Sequence, residues 1–296
     1  MIGNAADLVI VHLYPDLLMS YGDRGNVLTL VRRAEWRGFS VRVIGVARRE
    51  QLPTTIDLIL IGGGSDRIQG LVGNDLAGRG RELAELVGGN TVILGVCAGY
   101  QLLGHRYVGV DGGEVRGLGL LDVTTTAGAT RIVGRVSTRA SFDNRSFDVS
   151  GFENHAGRTF LGAGVSPLCS VPKGKGNNGV DGTEGAVNGS VVGTYLHGPM
   201  LPTAPAFADA LLVRALARAT GGAPLRPLDD SIEEAAELSE RTRHRKQLTS
   251  RGLTRTSTWA NWGRAHRLPP RERSSSRAAP TDGHAAGSSV ALRLPA

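Results

Sequence analysis

Residues 91–101 read Thr91-Val92-Ile93-Leu94-Gly95-Val96-Cys97-Ala98-Gly99-Tyr100-Gln101. A β-branched apolar run ends at a cysteine set between small residues, and a helical pattern follows to about His105. This is a strand–turn–helix elbow of the G-x-S-x-G kind, with Cys in the nucleophile position. Flanking glycines suit a tight, crowded turn. The helix N-terminus beneath the sulfur favours the thiolate, which is the nucleophilic form. The Ala98 N–H, just past the nucleophile, is placed to act as an oxyanion donor. A cysteine elsewhere is more often a small buried hydrophobe; the elbow sets Cys97 apart.

Outward from the elbow, residues 8–13, 40–46 and 57–61 are short apolar runs bounded by turn signals, and read as buried strands. Asp23 opens a helical pattern through Val27, Leu30, Val31 and Ala34, with Gly38 as its stop. Residues 66–87 read as one helix, weakened in the middle by Gly70, Gly73, Gly78 and Gly80. Alternation of such strands with helices predicts an α/β fold with a doubly wound, mostly parallel sheet. Ligands in such sheets bind beyond the C-terminal ends of the strands. From Gly117 the texture changes, and residues 118–124, 132–138 and 147–149 suggest short added antiparallel strands. Residues 172–185 read as a glycine-rich loop, 191–196 as a strand ending at His197, and 204–219 as an amphipathic helix. The domain spans residues 1–230, and 231–296 is expected to be a basic, disordered tail whose first part, 231–249, forms an exposed helix.

Composition narrows the function classes. The chain has 296 residues, 41% of them hydrophobic, with 42 Gly and 2 Cys. Two cysteines make neither a disulfide framework nor a four-thiolate zinc site. The net charge is +7, but residues 231–296 hold 12 Lys+Arg against 6 Asp+Glu, while residues 1–230 hold 22 against 21. The basic character belongs to the tail, so global charge gives no case for a nucleic-acid partner. No basic leader precedes the first apolar run, and no stretch reaches roughly 18 uncharged apolar residues. A cytoplasmic protein with reduced cysteines is expected.

Two further stretches carry chemistry. Leu60-Ile61-Gly62-Gly63-Gly64-Ser65-Asp66 runs from a strand into three glycines, whose N–H groups can face an anion. Beside Cys97, Gly63 becomes a candidate second oxyanion donor. Neither G-x-x-x-x-G-K-[ST] nor G-x-G-x-x-G is present, which leaves no basis for a nucleotide site. Gly193-Thr194-Tyr195-Leu196-His197-Gly198-Pro199 ends a strand at His197, a candidate general base for a cysteine at another strand end. His155, in Phe152-Glu153-Asn154-His155, is its rival; His12 lies inside a strand and His105 ends the helix after Cys97. Cys169 has no elbow around it and is taken as incidental. Nothing has metal-ligand spacing.

Taken together, the glycine turn, the G-V-C-A-G-Y-Q elbow and Y-L-H-G resemble class I glutamine amidotransferases of the cobyric acid synthase-like branch, which are flavodoxin-like. Over residues 7–228 the chain is similar to the glutaminase-subunit family of lipid II isoglutaminyl synthases. The stretches Tyr21–Asn26, Gly62–Arg67, Phe152–Thr159, Gly176–Gly179 with Asp181-Gly182, and Tyr195–Pro199 carry that likeness. It implies that Cys97 attacks the side-chain amide of L-glutamine and His197 handles the proton. It further implies that Gly63 and Ala98 hold the oxyanion, and that Arg131 and Gln101 bind substrate. No cofactor and no metal are expected on this chain. ATP and Mg belong to a Mur-ligase-like synthetase subunit, which forms a heterodimer with this one, binds lipid II and receives the ammonia. The lipid-linked substrate implies a place near the inner membrane face. Most class I amidotransferases have Glu two residues after the catalytic His; here that position is Pro199. A Cys–His dyad is therefore expected, with the orienting acid absent or supplied by the partner. Two alternatives stand beside this reading. One is an amidotransferase serving another acceptor such as a corrinoid, against which counts the start of the domain at residue 7. The other is a non-catalytic scaffold.

Overall fold

The computed structural model describes residues 7–236 together with 238, 239 and 242. Its strands and helices, in chain order, begin with β1 (Leu8–Leu13), α1 (Arg24–Glu35), β2 (Val41–Val46), β3 (Leu58–Ile61), α2 (Asp66–Gly78) and α3 (Gly80–Gly88). There follow β4 (Val92–Val96), α4 (Ala98–Leu103), β5 (Arg106–Val108), β6 (Glu114–Arg116), β7 (Val123–Phe142) and β8 (Arg145–Leu161). The last are β9 (Cys169–Ser170), β10 (Thr183–Glu184), β11 (Ala186–Asn188), β12 (Val191–Thr194), α5 (Pro205–Ala215) and α6 (Ala217–Thr220).

The first sheet has the order β11-β12-β4-β3-β1-β2, parallel throughout except for the edge strand β11. Every residue of β1, β3 and β4 is buried, which requires cover on both faces of the sheet and explains their near-continuous apolar sequences, broken only by the buried His12 of β1. Helix α1 packs on β1, β2 and α5; α4 packs on β3, β4 and β12 and carries α2 beside it. The chain order reverses between β1 and β3, so the crevice at their C-terminal ends is the place for a ligand.

A second, mostly antiparallel sheet is built on a long hairpin of β7 and β8. This corrects the expectation of short separate strands. Apart from Asp143 and Asn144, the polar residues from 123 to 161 belong to the two long strands and are not turns. Inward-facing Phe142 and Phe147 pack edge-on or tilted against Phe207 of α5 at centroid distances of 6.0 and 5.7 Å. Asp143 and Asn144, both with positive φ (49° and 58°), form the two-residue turn that joins the strands. The single helix expected over 66–87 is two helices. They break at Arg79, a turn residue between Gly78 and Gly80 (φ −90°, ψ −2°).

Residues 231–236 are helical. The tail expected beyond them lies, from residue 243 onward, outside the described residues. Among the described residues no helix is long and apolar enough to cross a membrane.

Candidate active site

Cys97 follows the last residue of β4 and caps α4 with φ +51° and ψ −101°, a strained conformation for a residue with a side chain. The flanking glycines are there because nothing larger fits. A Cβ on Gly99 would sit 2.1 Å from the Ile61 carbonyl oxygen, and one on Gly95 would sit 2.5 Å from Leu103 Cδ1. The Cys97 N–H donates to the Thr194 carbonyl at 2.8 Å, which ties the elbow to β12.

His197 lies three residues beyond the end of β12. Its backbone is clamped by a pair of hydrogen bonds with Phe152 of β8, 2.9 and 3.0 Å long. Its Nδ1 lies 3.3 Å from Asp23 Oδ1, and Cys97 interacts electrostatically with its ring. Both His197 and Asp23 are almost wholly out of solvent. Burial opposes the charged ring, but the bonds and charges of Asp23 and Cys97 outweigh it and push the His197 pKa up to about 9. Asp23 thus supplies the orienting acid from this chain itself, which corrects the expectation of a dyad whose acid is missing or borrowed. The residue precedes α1 but does not cap it with its side chain. Its Oδ2 accepts from the Gly63 N–H at 2.6 Å instead.

The position that lacks the usual acid helps to bring Asp23 in. Pro199 packs on Gly25 so closely that a Cβ there would lie 2.3 Å from Pro199 Cγ. The start of α1 therefore sits against the His197 strand end. Asn26 Oδ1 then accepts from the Leu201 N–H at 2.9 Å. Gly63 occupies the centre of the cluster, where an added Cβ would be 2.6 Å from His197 Cε1, 3.2 Å from Asp23 Oδ2 and 3.5 Å from Cys97 Cβ. Its role differs from the expected one, because its N–H is given to Asp23, and Gly64 rather than Gly63 lines the cavity.

That cavity, of about 580 Å³, opens over Cys97. Cys97, Gln101 and Arg131 line it, and Gly63, Ala98 and His197 are not among its lining residues. Arg131 sits in the register irregularity of the hairpin between Ala127 and Ile132, where one strand bulges. Its Nε donates to Asn154 Oδ1 at 2.7 Å and its terminal nitrogen to the Asn154 carbonyl at 2.5 Å. Gln101 is fixed at both ends of its amide. It accepts from Gln69 Nε2 at 2.5 Å and donates to the Tyr195 hydroxyl at 2.9 Å. Gly157 allows this approach, since a Cβ there would lie 2.2 Å from Gln101 Nε2. His155, the rival base, lines the cavity but stacks flat on Tyr195 at 3.5 Å, and burial lowers its pKa. Its Nδ1 pairs with the Gly157 carbonyl at 2.9 Å.

The glycine-rich loop supports the wall. Asn177 accepts from the Tyr100 hydroxyl at 3.1 Å and exchanges hydrogen bonds with Gly185. Glu184, fully buried, accepts from the Tyr195 N–H at 2.6 Å and from Thr194 Oγ1 at 2.9 Å, two to three residues before His197. Burial pushes its pKa up to about 7. Cys169 is buried, and burial raises its thiol pKa, which fits a residue without a chemical role.

A cysteine on a strained elbow, a buried histidine and its carboxylate, and a polar cavity over the sulfur define a cysteine-nucleophile amidohydrolase site on a flavodoxin-like sheet. Residues 9–205 match the CobB/CobQ-like glutamine amidotransferase domain, and the chain belongs to that family. It is 37% identical over 233 residues to the lipid II isoglutaminyl synthase (glutamine-hydrolyzing) subunit GatD of Staphylococcus aureus strain N315, covering 78% of this chain and 92% of that protein. To the subunit of the same name from Streptococcus pneumoniae (strain ATCC BAA-255 / R6) it is 36% identical over 218 residues, 72% of this chain and 82% of that one. Among solved structures, PurLQS from Thermotoga maritima superposes with a TM-score of 0.48 at 18% identity, over 73% of this chain and 100% of that chain.

Proposed function

We propose that this chain is the glutamine-hydrolysing subunit of a lipid II isoglutaminyl synthase. The observation that carries the chemistry is the convergence of Cys97, His197 and Asp23 at the strand ends, two of them on stretches 174 residues apart in sequence. The extent of the likeness to the two named subunits supports the acceptor.

In this reading the Cys97 thiolate attacks the side-chain carbonyl carbon of L-glutamine. The Ala98 N–H, first of α4, holds the oxyanion, with Gly64 beside it in the cavity wall. As the tetrahedral adduct collapses, the C–N bond breaks and His197 gives its proton to the departing ammonia. A γ-glutamyl thioester remains on Cys97. Water then attacks it, His197 takes the water proton, and glutamate leaves with the thiolate restored. A ring that keeps its proton to about pH 9 serves the first half-reaction as acid, and Asp23 holds its orientation throughout. Arg131 grips the substrate α-carboxylate.

The ammonia passes to a Mur-ligase-like synthetase subunit in a heterodimer. That partner uses ATP and Mg²⁺ to activate the D-glutamate α-carboxylate of the peptidoglycan stem peptide; this chain carries no cofactor and touches lipid II only through the partner. The complex works in the cytoplasm, against the inner membrane face.

The test is isotope transfer from [amide-¹⁵N]-L-glutamine in the reconstituted complex with lipid II and ATP. The expected result is ¹⁵N in the stem-peptide amide, lost in Cys97→Ser but restored there by free ammonia. Ammonia release without label in lipid II would reassign the acceptor, a corrinoid carboxylate being the alternative. Release from neither enzyme form would leave a scaffold.

A further inference from the structure

Gln69, on α2, has an unfilled requirement. Its side chain is almost wholly buried and borders the cavity, and its Nε2 donates to Gln101. Its Oε1, out of contact with solvent, meets no hydrogen-bond donor. A buried carbonyl oxygen without a donor carries a desolvation cost that folding leaves uncompensated. In a cavity wall such an atom is a receptor for an N–H. Gln101, its neighbour, is committed at both ends and cannot answer it.

Asp66 stands three residues before Gln69, on the same face of α2 and bordering the same cavity. It is the single acidic side chain among the described residues lining that cavity. The Tyr107 hydroxyl faces it from β5, and burial together with the Asp66 charge raises the Tyr107 pKa. Arg131, held by Asn154, contributes a cation to the same cavity from the hairpin. One cavity thus presents a guanidinium from the hairpin and, from α2, the Arg67 guanidinium and a carboxylate beside an unpaired carbonyl oxygen. A free α-amino acid carries the matching pair of charges.

We propose that Gln69 and Asp66 form the receptor for the α-ammonium group of the substrate glutamine. This rests on the glutaminase reading above and deepens it by naming what selects the substrate. The α-ammonium donates to Gln69 Oε1, which fills the orphaned acceptor, and Asp66 supplies the counter-charge. The carboxylate end goes to Arg131, and the side-chain amide reaches down to Cys97. An amide lacking the α-amine leaves Gln69 Oε1 unpaired, and one whose amine is acylated as in a peptide keeps an N–H but brings no cation to Asp66, so both are disfavoured.

The test compares kcat/KM for ammonia release from L-glutamine and from glutaramate, which has the same amide and carboxylate but no α-amine. The enzyme is the full chain with its synthetase partner. Wild type is expected to prefer glutamine by about 10- to 100-fold, the worth of a charge-assisted hydrogen bond. Asp66→Asn and Gln69→Leu are each expected to lower that ratio about tenfold. Asp66 is exposed, so its variant folds even if Gln69→Leu does not. If both substrates slow together and the ratio stays at its wild-type value, the two residues only support the fold and the proposal is overturned. If wild type releases ammonia from neither substrate, the glutaminase reading itself fails, and that is visible before any variant is made.

Discussion

Replacing Asp23 by Asn isolates the contribution of the orienting acid. The two side chains have the same shape, so the Gly63 N–H retains an acceptor in the oxygen of the new amide. The atom then facing His197 is an amide nitrogen, a donor where the carboxylate accepted over 3.3 Å. His197 Nδ1 must become an acceptor, which moves the ring proton to Nε2 and leaves no lone pair for a proton from Cys97 or from water. The size of the effect follows from the ring's raised pKa. The move from the ordinary 6.5 to about 9 favours the charged ring by about 3 kcal/mol, shared by Asp23 and Cys97 against the burial that opposes it. Without Asp23, burial dominates and the pKa returns to the ordinary value or below. The expected loss in kcat/KM for glutamine hydrolysis is about 10²- to 10⁴-fold. The high-pH limb of the rate profile, expected near pH 9 in wild type, moves down by at least about one unit. The same shift affects stability. The raised pKa stabilises the fold at pH values below 6.5, a contribution lost as pH rises through 9, and the variant loses that slope. Ammonia release measured from pH 5.5 to 10, with unfolding followed at both ends of the range, reads both effects. Activity within about threefold of wild type and an unmoved limb would refute the assignment of Asp23.

Gly63→Ala places a methyl group 2.6 Å from His197 Cε1 and 3.5 Å from Cys97 Cβ. Displacing the ring should cost about 100-fold or more in activity while circular dichroism stays native, and a fully active variant would contradict the packing described. For Glu184, a buried carboxyl with pKa about 7, the folded state holds a proton that the unfolded chain releases near 4.5. Stability should therefore fall as pH rises from about 4.5 through 7 and then level off. Between pH 5 and 8, urea unfolding of Glu184→Gln should lack about 2–3 kcal/mol of the wild-type decline; equal declines would place the Glu184 carboxylate in a far more polar setting.

The parts of this molecule that were legible in the sequence are those in which local pattern and tertiary role coincide. β1, β3 and β4 read as strands because strands buried on both faces are near-continuous apolar runs, His12 of β1 being the one interruption. Cys97 was legible because an elbow needs its glycines within two residues of the nucleophile, as the contacts of Gly95 and Gly99 demonstrate. Asp23 was not legible. It looks like an ordinary helix opener, and it lies 174 residues from the histidine that it orients. The signal lay in Tyr21–Asn26 taken with Pro199, because an acid absent from its usual place has to come from a segment packed against that place. Gly63 was assigned the wrong partner for a related reason, since a glycine turn announces available N–H groups but not which acceptor takes them. The hairpin of β7 and β8 was broken into pieces because its outward faces are Thr, Ser, Arg and Gly, residues that also make turns. Gln69 gave no signal, because an unpaired oxygen is a property of packing alone.

The chemistry depends on a covalent bond to Cys97. Acid quenching of the chain during turnover of L-glutamine, followed by peptide mass spectrometry, should find a γ-glutamyl group on the peptide that carries Cys97. Neither the adduct nor ammonia release should be detectable in Cys97→Ser. Undiminished ammonia release by Cys97→Ser, with no adduct in wild type, would contradict the account.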